Sequence, residues 1–242
     1  MGANFITGTG TDIGKTWLAC ALLRHWRAEG RRVAAFKPVL SGFDPARPGA
    51  SDAGALLAAL GREASTAELD AIAPWRFVAP LSPDMAAELE GRRIDFDQLV
   101  GFTRRVATVP DGQILVEGVG GVMAPLDETH TVRDWIAASG LPCVLVAGSY
   151  LGSLSHTLTA LEALRKVMRS GIHADGAGSL CVPGTPLRGQ VTAIAVNETP
   201  DSAVTLDATL ETLSRHAAGI PLVAIARADP QAGVARLAGL LS

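Results

Sequence analysis

The sequence predicts an α/β fold, a doubly wound, mostly parallel sheet flanked by helices. Three observations predict it. Short apolar runs alternate along the chain with helical patterns, and that alternation builds crossover units on a parallel sheet. The runs are continuously apolar, as in Cys143-Val144-Leu145-Val146. A strand covered by helices on both faces needs that pattern. A glycine-rich turn, residues 8–14, separates the first apolar run from the first helical pattern.

Taken in order, strands are expected at residues 4–7, 33–39, 114–117, 143–147, 191–196 and 222–226. Helices are expected at 15–29, 51–60, 96–107, 132–138, 153–168, 204–217 and 230–241. The first helix begins where the glycine turn ends. The second is opened by Ser51, a capping candidate, and Asp52, an acid suited to a helix start. After the strand ending at Glu117, the glycines and Pro125 argue against an immediate helix. Residues 62–83, rich in Ala and Pro, read as a long loop. So do residues 174–189, which contain Gly176, Gly178, Pro183, Gly184, Pro186 and Gly189. There is no internal repeat, and residues 1–242 read as one domain with a loop insertion at 174–189.

Bulk properties narrow the function. Of 242 residues, 48% are hydrophobic, enough to bury a sizeable core. A net charge of −3 gives no general reason to bind nucleic acid or an anionic membrane. Aromatic residues make up 5%, which disfavours a base-stacking platform. Cys20, Cys143 and Cys181 are widely spaced without a C-x-x-C pair, and read as packed free thiols of a reducing compartment. No basic segment leads into an apolar leader, and no apolar run is long enough to span a bilayer. A cytoplasmic location is expected.

The strongest motif is Gly8-Thr9-Gly10-Thr11-Asp12-Ile13-Gly14-Lys15-Thr16, set between strand and helix. Glycines let such a turn fold tightly, so that backbone N–H groups point at phosphate oxygens. The following helix adds the positive end of its dipole. Lys15 is placed to reach the β- and γ-phosphates and Thr16 to ligate Mg2+. The fold is thus of the P-loop NTPase type. Thr9 stands at the first glycine position of the usual G-x-x-x-x-G-K-[ST] pattern, so the loop is one residue longer.

Two further segments end at the same side of the sheet. Lys37 follows an apolar run, and ligands of open α/β sheets bind beyond the carboxyl ends of strands. A second cation there suits charge developing on a transferred phosphoryl group. A lysine at a strand end also serves as a snorkelling edge residue. Glu117 ends the run Gln113-Ile114-Leu115-Val116 and precedes Gly118-Val119-Gly120-Gly121. An acid at a buried strand tip needs a partner, which Mg2+ supplies. The alternative is an acid of a turn or helix start. Asp52 alone reads as an ordinary helix-start acid.

Together these segments resemble the dethiobiotin synthetases. The matching pieces are Gly8 to Thr16, Lys37-Pro38-Val39 with Ser41-Gly42, Ser51-Asp52-Ala53, Pro80-Leu81-Ser82-Pro83, Val116 to Gly121, Asp134-Trp135, and Leu151-Gly152 with Ser155-His156-Thr157. The resemblance implies ATP as co-substrate, Mg2+, 7,8-diaminopelargonic acid and CO2 or bicarbonate. The amine becomes a carbamate, takes the γ-phosphoryl group, and closes to a cyclic urea. The resemblance implies catalytic roles for Lys37, Lys15 and Thr11, and metal ligands at Thr16, Asp52 and Glu117. It implies nucleotide contacts from Asp12, Ile13, Gly14, Lys15, Thr16 and Leu18, with the base near Asn197. It implies substrate contacts from Ser41, Gly118, Leu151, Gly152, Ser153 and Leu154, and a homodimer with substrate near the interface. Ser153 or Ser155 also reads as a plain helix cap.

The chain departs from the family pattern at Ser155, where Asn is expected, at Asp84, where His is expected, and at Arg227, where an Ile-Pro ending is expected. Two other readings share the fold. A partition-type switch ATPase carries an extra lysine at the position of Gly10, and this chain lacks it. A related amidoligase acting on another carboxylate differs only in its substrate end.

Overall fold

The expected apolar runs pair into one six-stranded parallel sheet in the computed structural model, which describes residues 2–108, 112–170, 190–217 and 219–242. Its strands are β1 (Ala3–Gly8), β2 (Val33–Phe36), β5 (Gln113–Glu117), β6 (Cys143–Gly148), β7 (Val191–Asn197) and β8 (Leu222–Ile225). Their order is β2-β5-β1-β6-β7-β8. The first strand is therefore central, and the chain winds outward from it in both directions. Such a switch point opens a crevice beyond the carboxyl ends of β1 and its neighbours.

Alternation of side chains across the pleat explains the continuous apolar runs. Phe5, Cys143 and Leu145 pack into one core, with Leu99, Trp135, Leu161 and Leu213 from α5 (Phe96–Val106), α6 (Val132–Ser139), α7 (Ser153–Ser170) and α8 (Leu206–His216). Ile6, Val144 and Val146 pack into the other, with Leu22, Leu56 and Leu237 from α1 (Lys15–Ala28), α2 (Asp52–Ala59) and α9 (Pro230–Leu240). Each face of the sheet is thereby roofed by helices. Cys20 and Cys143 are buried free thiols, and burial raises them to about 11 and about 12. No helix among the described residues is long and apolar enough to cross a membrane.

Two expectations are corrected. The strand expected at 33–39 leaves the sheet after Phe36. The Lys37 amide bonds to the Ile72 carbonyl, and Pro38 has no N–H to continue the ladder. Val39–Leu40, β3, instead pairs with Trp75–Arg76, β4, in a separate two-stranded sheet. The region 62–83 is not one long loop. It holds α3 (Thr66–Ile72) and β4, and it leads into α4 (Pro83–Leu89). Ser65 caps α3 by accepting from the Glu68 amide. The spacing Ser65-x-x-Glu68 is a helix-start signal that the Ala- and Pro-rich composition hides. The expected insertion at 174–189 lies outside the described residues.

Candidate active site

Three strand ends and two helix starts build the site. The turn after β1 winds over the sheet edge into α1. Asp12 adopts the left-handed region at φ 56°, and Gly14 follows at φ 89°. Gly121, from the turn after β5, approaches so closely that an added Cβ would stand 3.1 Å from the Thr9 carbonyl. The Val122 amide donates to the Gly8 carbonyl at 3.0 Å. The glycines after Glu117 thus let one loop lie against the other.

Below this turn sits a buried ionic cluster. Lys37, 2% exposed, places Nζ 2.6 Å from Glu117 Oε1 and 3.1 Å from Asp52 Oδ2, and it donates to the Gly118 carbonyl at 2.9 Å. Glu117 is 1% exposed, and the Thr16 hydroxyl donates to its Oε1 at 2.6 Å. Burial works against the Lys37 charge, but Glu117 and Asp52 outweigh it and hold the ammonium above its ordinary range. Asp52 is held below its ordinary range because Lys37 overcomes its desolvation. Lys15 donates to the Gly10 carbonyl at 2.7 Å. Burial, and then the neighbouring Lys37 charge, lower its ammonium to about 8. Glu117 Oε2 is buried without a partner.

A cleft of about 1100 Å³ opens over this cluster. Thr11, Asp12, Gly14, Lys15, Thr16, Lys37, Ser41 and Asp52 line it, as do Thr9 and Gly10. A second cleft of about 600 Å³ lies beyond the ends of β6, β7 and β8. Ile13 and Asn197 line that one, and Thr11, Asp12 and Gly14 line both. The structure therefore brings together most of the residues singled out by motif.

Others fall elsewhere. Leu18, expected at the nucleotide, is fully buried beneath the turn and lines neither cleft; its amide bonds to the Gly14 carbonyl. Gly118, expected at the substrate, lies behind the wall. Its carbonyl takes Lys37, and a Cβ there would meet the Phe5 ring at 2.9 Å. Val119, Gly120 and Gly121 line the cleft instead. Leu151, Gly152, Ser153 and Leu154 precede and open α7 and line neither cleft; Leu151 is 88% exposed. Asp84 accepts from the Ser82 hydroxyl at 2.5 Å within the start of α4. That acid serves its own helix start and does not line the cleft.

Motif reasoning also missed residues. Trp17 lines both clefts, and Glu198, Pro200 and Arg227 line the smaller one. The last three lie just beyond strand carboxyl ends, where the crevice rule alone would have pointed. Trp17 lies one residue past the motif and carries no signal of its own.

A family model described as an AAA domain matches residues 3–225. The chain is 49% identical over 218 residues to the ATP-dependent dethiobiotin synthetase BioD of Acidiphilium cryptum (strain JF-5), covering 90% of this chain and 89% of that protein. It is 45% identical over 228 residues to the ATP-dependent dethiobiotin synthetase BioD of Phenylobacterium zucineum (strain HLK1), covering 94% and 89%. Among solved structures, the cell division ATPase MinD of Pyrococcus furiosus matches with a TM-score of 0.56 at 15% identity, over 100% of this chain and 98% of that one. Apo McdA of Cyanthece matches with a TM-score of 0.52 at 12% identity, over 98% and 93%. At such identities the structural matches show the fold alone.

Proposed function

Since the chain belongs to the ATP-dependent dethiobiotin synthetase family and is an ATP-dependent ligase of biotin biosynthesis, we propose that its larger cleft joins 7,8-diaminopelargonic acid to CO2 at the expense of the γ-phosphate of ATP. The observation that carries this reading is the convergence of Lys15, Lys37, Thr16, Asp52 and Glu117 beneath one phosphate loop. The likeness to MinD and McdA extends only to the fold and gives no support to a switch ATPase.

The residues present suit a Mg2+ ion. Mg2+ takes oxygen ligands and keeps waters and substrate phosphates in its shell. Thr16, Asp52 and Glu117 are an all-oxygen set, and the unpartnered Glu117 Oε2 is a buried acceptor that such an ion satisfies. Among the described residues no group of three or more His, Cys, Asp or Glu could hold a metal. Waters and phosphate oxygens would complete the shell. When bound, the ion neutralises charge on the β- and γ-phosphates.

The chain's own residues then position and neutralise. One amine of the diamine takes up CO2, giving a carbamate whose oxygen attacks the γ-phosphorus as the bond to ADP breaks. Lys37 sits at the end of β2 to neutralise the carbamate and the transferring group, and Lys15 covers the β- and γ-phosphates. The Thr11 hydroxyl contacts phosphate or carbamate. Ser41 orients the diamine. The second amine then attacks the carbamoyl carbon, expels phosphate and closes the ring. No side-chain nucleophile is needed, so catalysis rests on orientation and charge.

We read the active form as a homodimer. Leu151, Leu89 and Met85 are large apolar side chains exposed by 88%, 69% and 51%. His156, Thr159 and Ala160 of α7 line the larger cleft of their own chain, whereas Leu151 to Leu154, where the helix opens, line neither, and a helix start of that kind suits the substrate carboxylate of a partner chain. A cytoplasmic setting is consistent with free Cys20 and Cys143.

A single-turnover assay with diamine, bicarbonate and each nucleoside triphosphate, read by product mass, tests the proposal. The expected outcome is the cyclic urea with one phosphate released per product, fastest with ATP. Phosphate release indifferent to the diamine would overturn it.

A further inference from the structure

Asn197 ends β7, and its side chain crosses to the phosphate loop. Its Nδ2 donates to the Ile13 carbonyl at 2.7 Å, across 184 residues of sequence. The same nitrogen stands where a side chain at Gly14 would begin, so that an added Cβ would collide with it. Its Oδ1 is buried and has no partner. Asn197, Ile13 and Gly14 together form part of the wall of the smaller cleft.

We infer that Asn197 is a positioning residue that braces the phosphate loop from the base side of the nucleotide site. This rests on the reading of that loop as the triphosphate site. The peptide between Ile13 and Gly14 is planar and trans, as no cis bond occurs among the described residues. With its carbonyl held by Asn197, the peptide must turn the Gly14 N–H to the opposite side, away from Asn197. Without the brace, that carbonyl is a half-buried acceptor that has lost its partner, and the peptide is free to swing its oxygen toward the phosphates. The absence of a side chain at Gly14 makes the brace possible, because the amide occupies that space. The unpartnered Oδ1 remains as an acceptor for an exocyclic amine on a base. A base so bound holds the amide from its other end, which couples base occupancy to the shape of the phosphate loop.

The test compares two ligands on three proteins. Mg-ATP and Mg-tripolyphosphate, which has no base, are titrated calorimetrically into the wild type, N197D and N197A. N197D keeps the shape and an acceptor oxygen but loses the N–H that holds Ile13. The brace predicts that N197D weakens both ligands by a similar factor, roughly three- to tenfold, the worth of one hydrogen bond, and that N197A weakens tripolyphosphate as much and ATP further, since it also loses the Oδ1 acceptor. It also predicts faster amide exchange over residues 9–14 in the ligand-free variants. Asn197 is half-buried at a strand end, so N197A answers if N197D does not fold. Weakened ATP binding with unchanged tripolyphosphate binding would make Asn197 a base reader alone and sink the brace. Unchanged binding of both would do the same. A wild type that binds neither ligand refutes the nucleotide reading itself.

Discussion

Lys37 is the residue on which stability and chemistry meet. A lysine at a strand end ordinarily reaches water, yet here the side chain is 2% exposed and its ammonium is held between Glu117 and Asp52 at the floor of the cleft. Removing one partner of a buried pair leaves the other charged and desolvated, at a cost of about 3–5 kcal/mol. Lys37→Met should therefore lower the melting temperature by about 10 °C and turnover by roughly 10²–10³-fold. The two losses separate in the double variant. Adding Glu117→Gln removes the stranded charge, so most of the melting temperature should return while turnover stays lost. Thermal melts and single-turnover rates on both proteins check this. A turnover of Lys37→Met that falls only in proportion to its unfolded fraction at the assay temperature would mean that Lys37 only holds the fold.

At the scale of elements, helix starts decide where the chain bends toward the site. Thr131 and Asp134 form a reciprocal capping box at α6, the Thr131 amide donating to Asp134 Oδ2 at 2.8 Å and its hydroxyl at 2.7 Å. The start of α6 in turn fixes Trp135, which is fully buried and meets Phe5 edge-on at 4.7 Å beneath β1. Burial tends to raise the Asp134 carboxyl, but its bonds to Thr131 and Arg133 outweigh this and hold it below the ordinary range. A carboxyl lowered in the folded state stabilises fully above its unfolded value near 3.8 and loses that contribution as pH falls through the folded value. Asp134→Ala should thus cost about 1 kcal/mol at neutral pH. The gap between wild type and variant should close as acid protonates Asp134. Chemical denaturation at a series of pH values reads the gap, and a gap that persists in strong acid contradicts the charge-based account. The helix α3 follows the same logic, and its Ser65-x-x-Glu68 signal was present but masked by a composition that suggests a loop.

For the whole molecule, the sheet order brings the ends of β1, β2 and β5 under one turn, while Leu151, just before α7, is left facing outward. Leu151→Glu should yield a monomer in sedimentation velocity and raise KM for the diamine. ATP affinity should not change, because Leu151 lines neither cleft. A dimer that survives this substitution would place the interface elsewhere. Much of the architecture was legible beforehand, because pleat and helix periods are short-range properties that a few consecutive residues carry. The same holds for the phosphate turn, whose glycines, Lys15 and Thr16 are neighbours in sequence. The meeting of Lys37 with Glu117, 80 residues away, and of Asn197 with Ile13 was not written in any local pattern. Nor was the exit of the chain from the sheet at Pro38, which depends on the Ile72 carbonyl and on a partner strand at Trp75–Arg76. The sequence by itself determined which segments become strands, helices and the anion-binding turn. Only the tertiary structure decided which side chains share a charge or a hydrogen bond, since those pairings follow from strand order and packing across long separations.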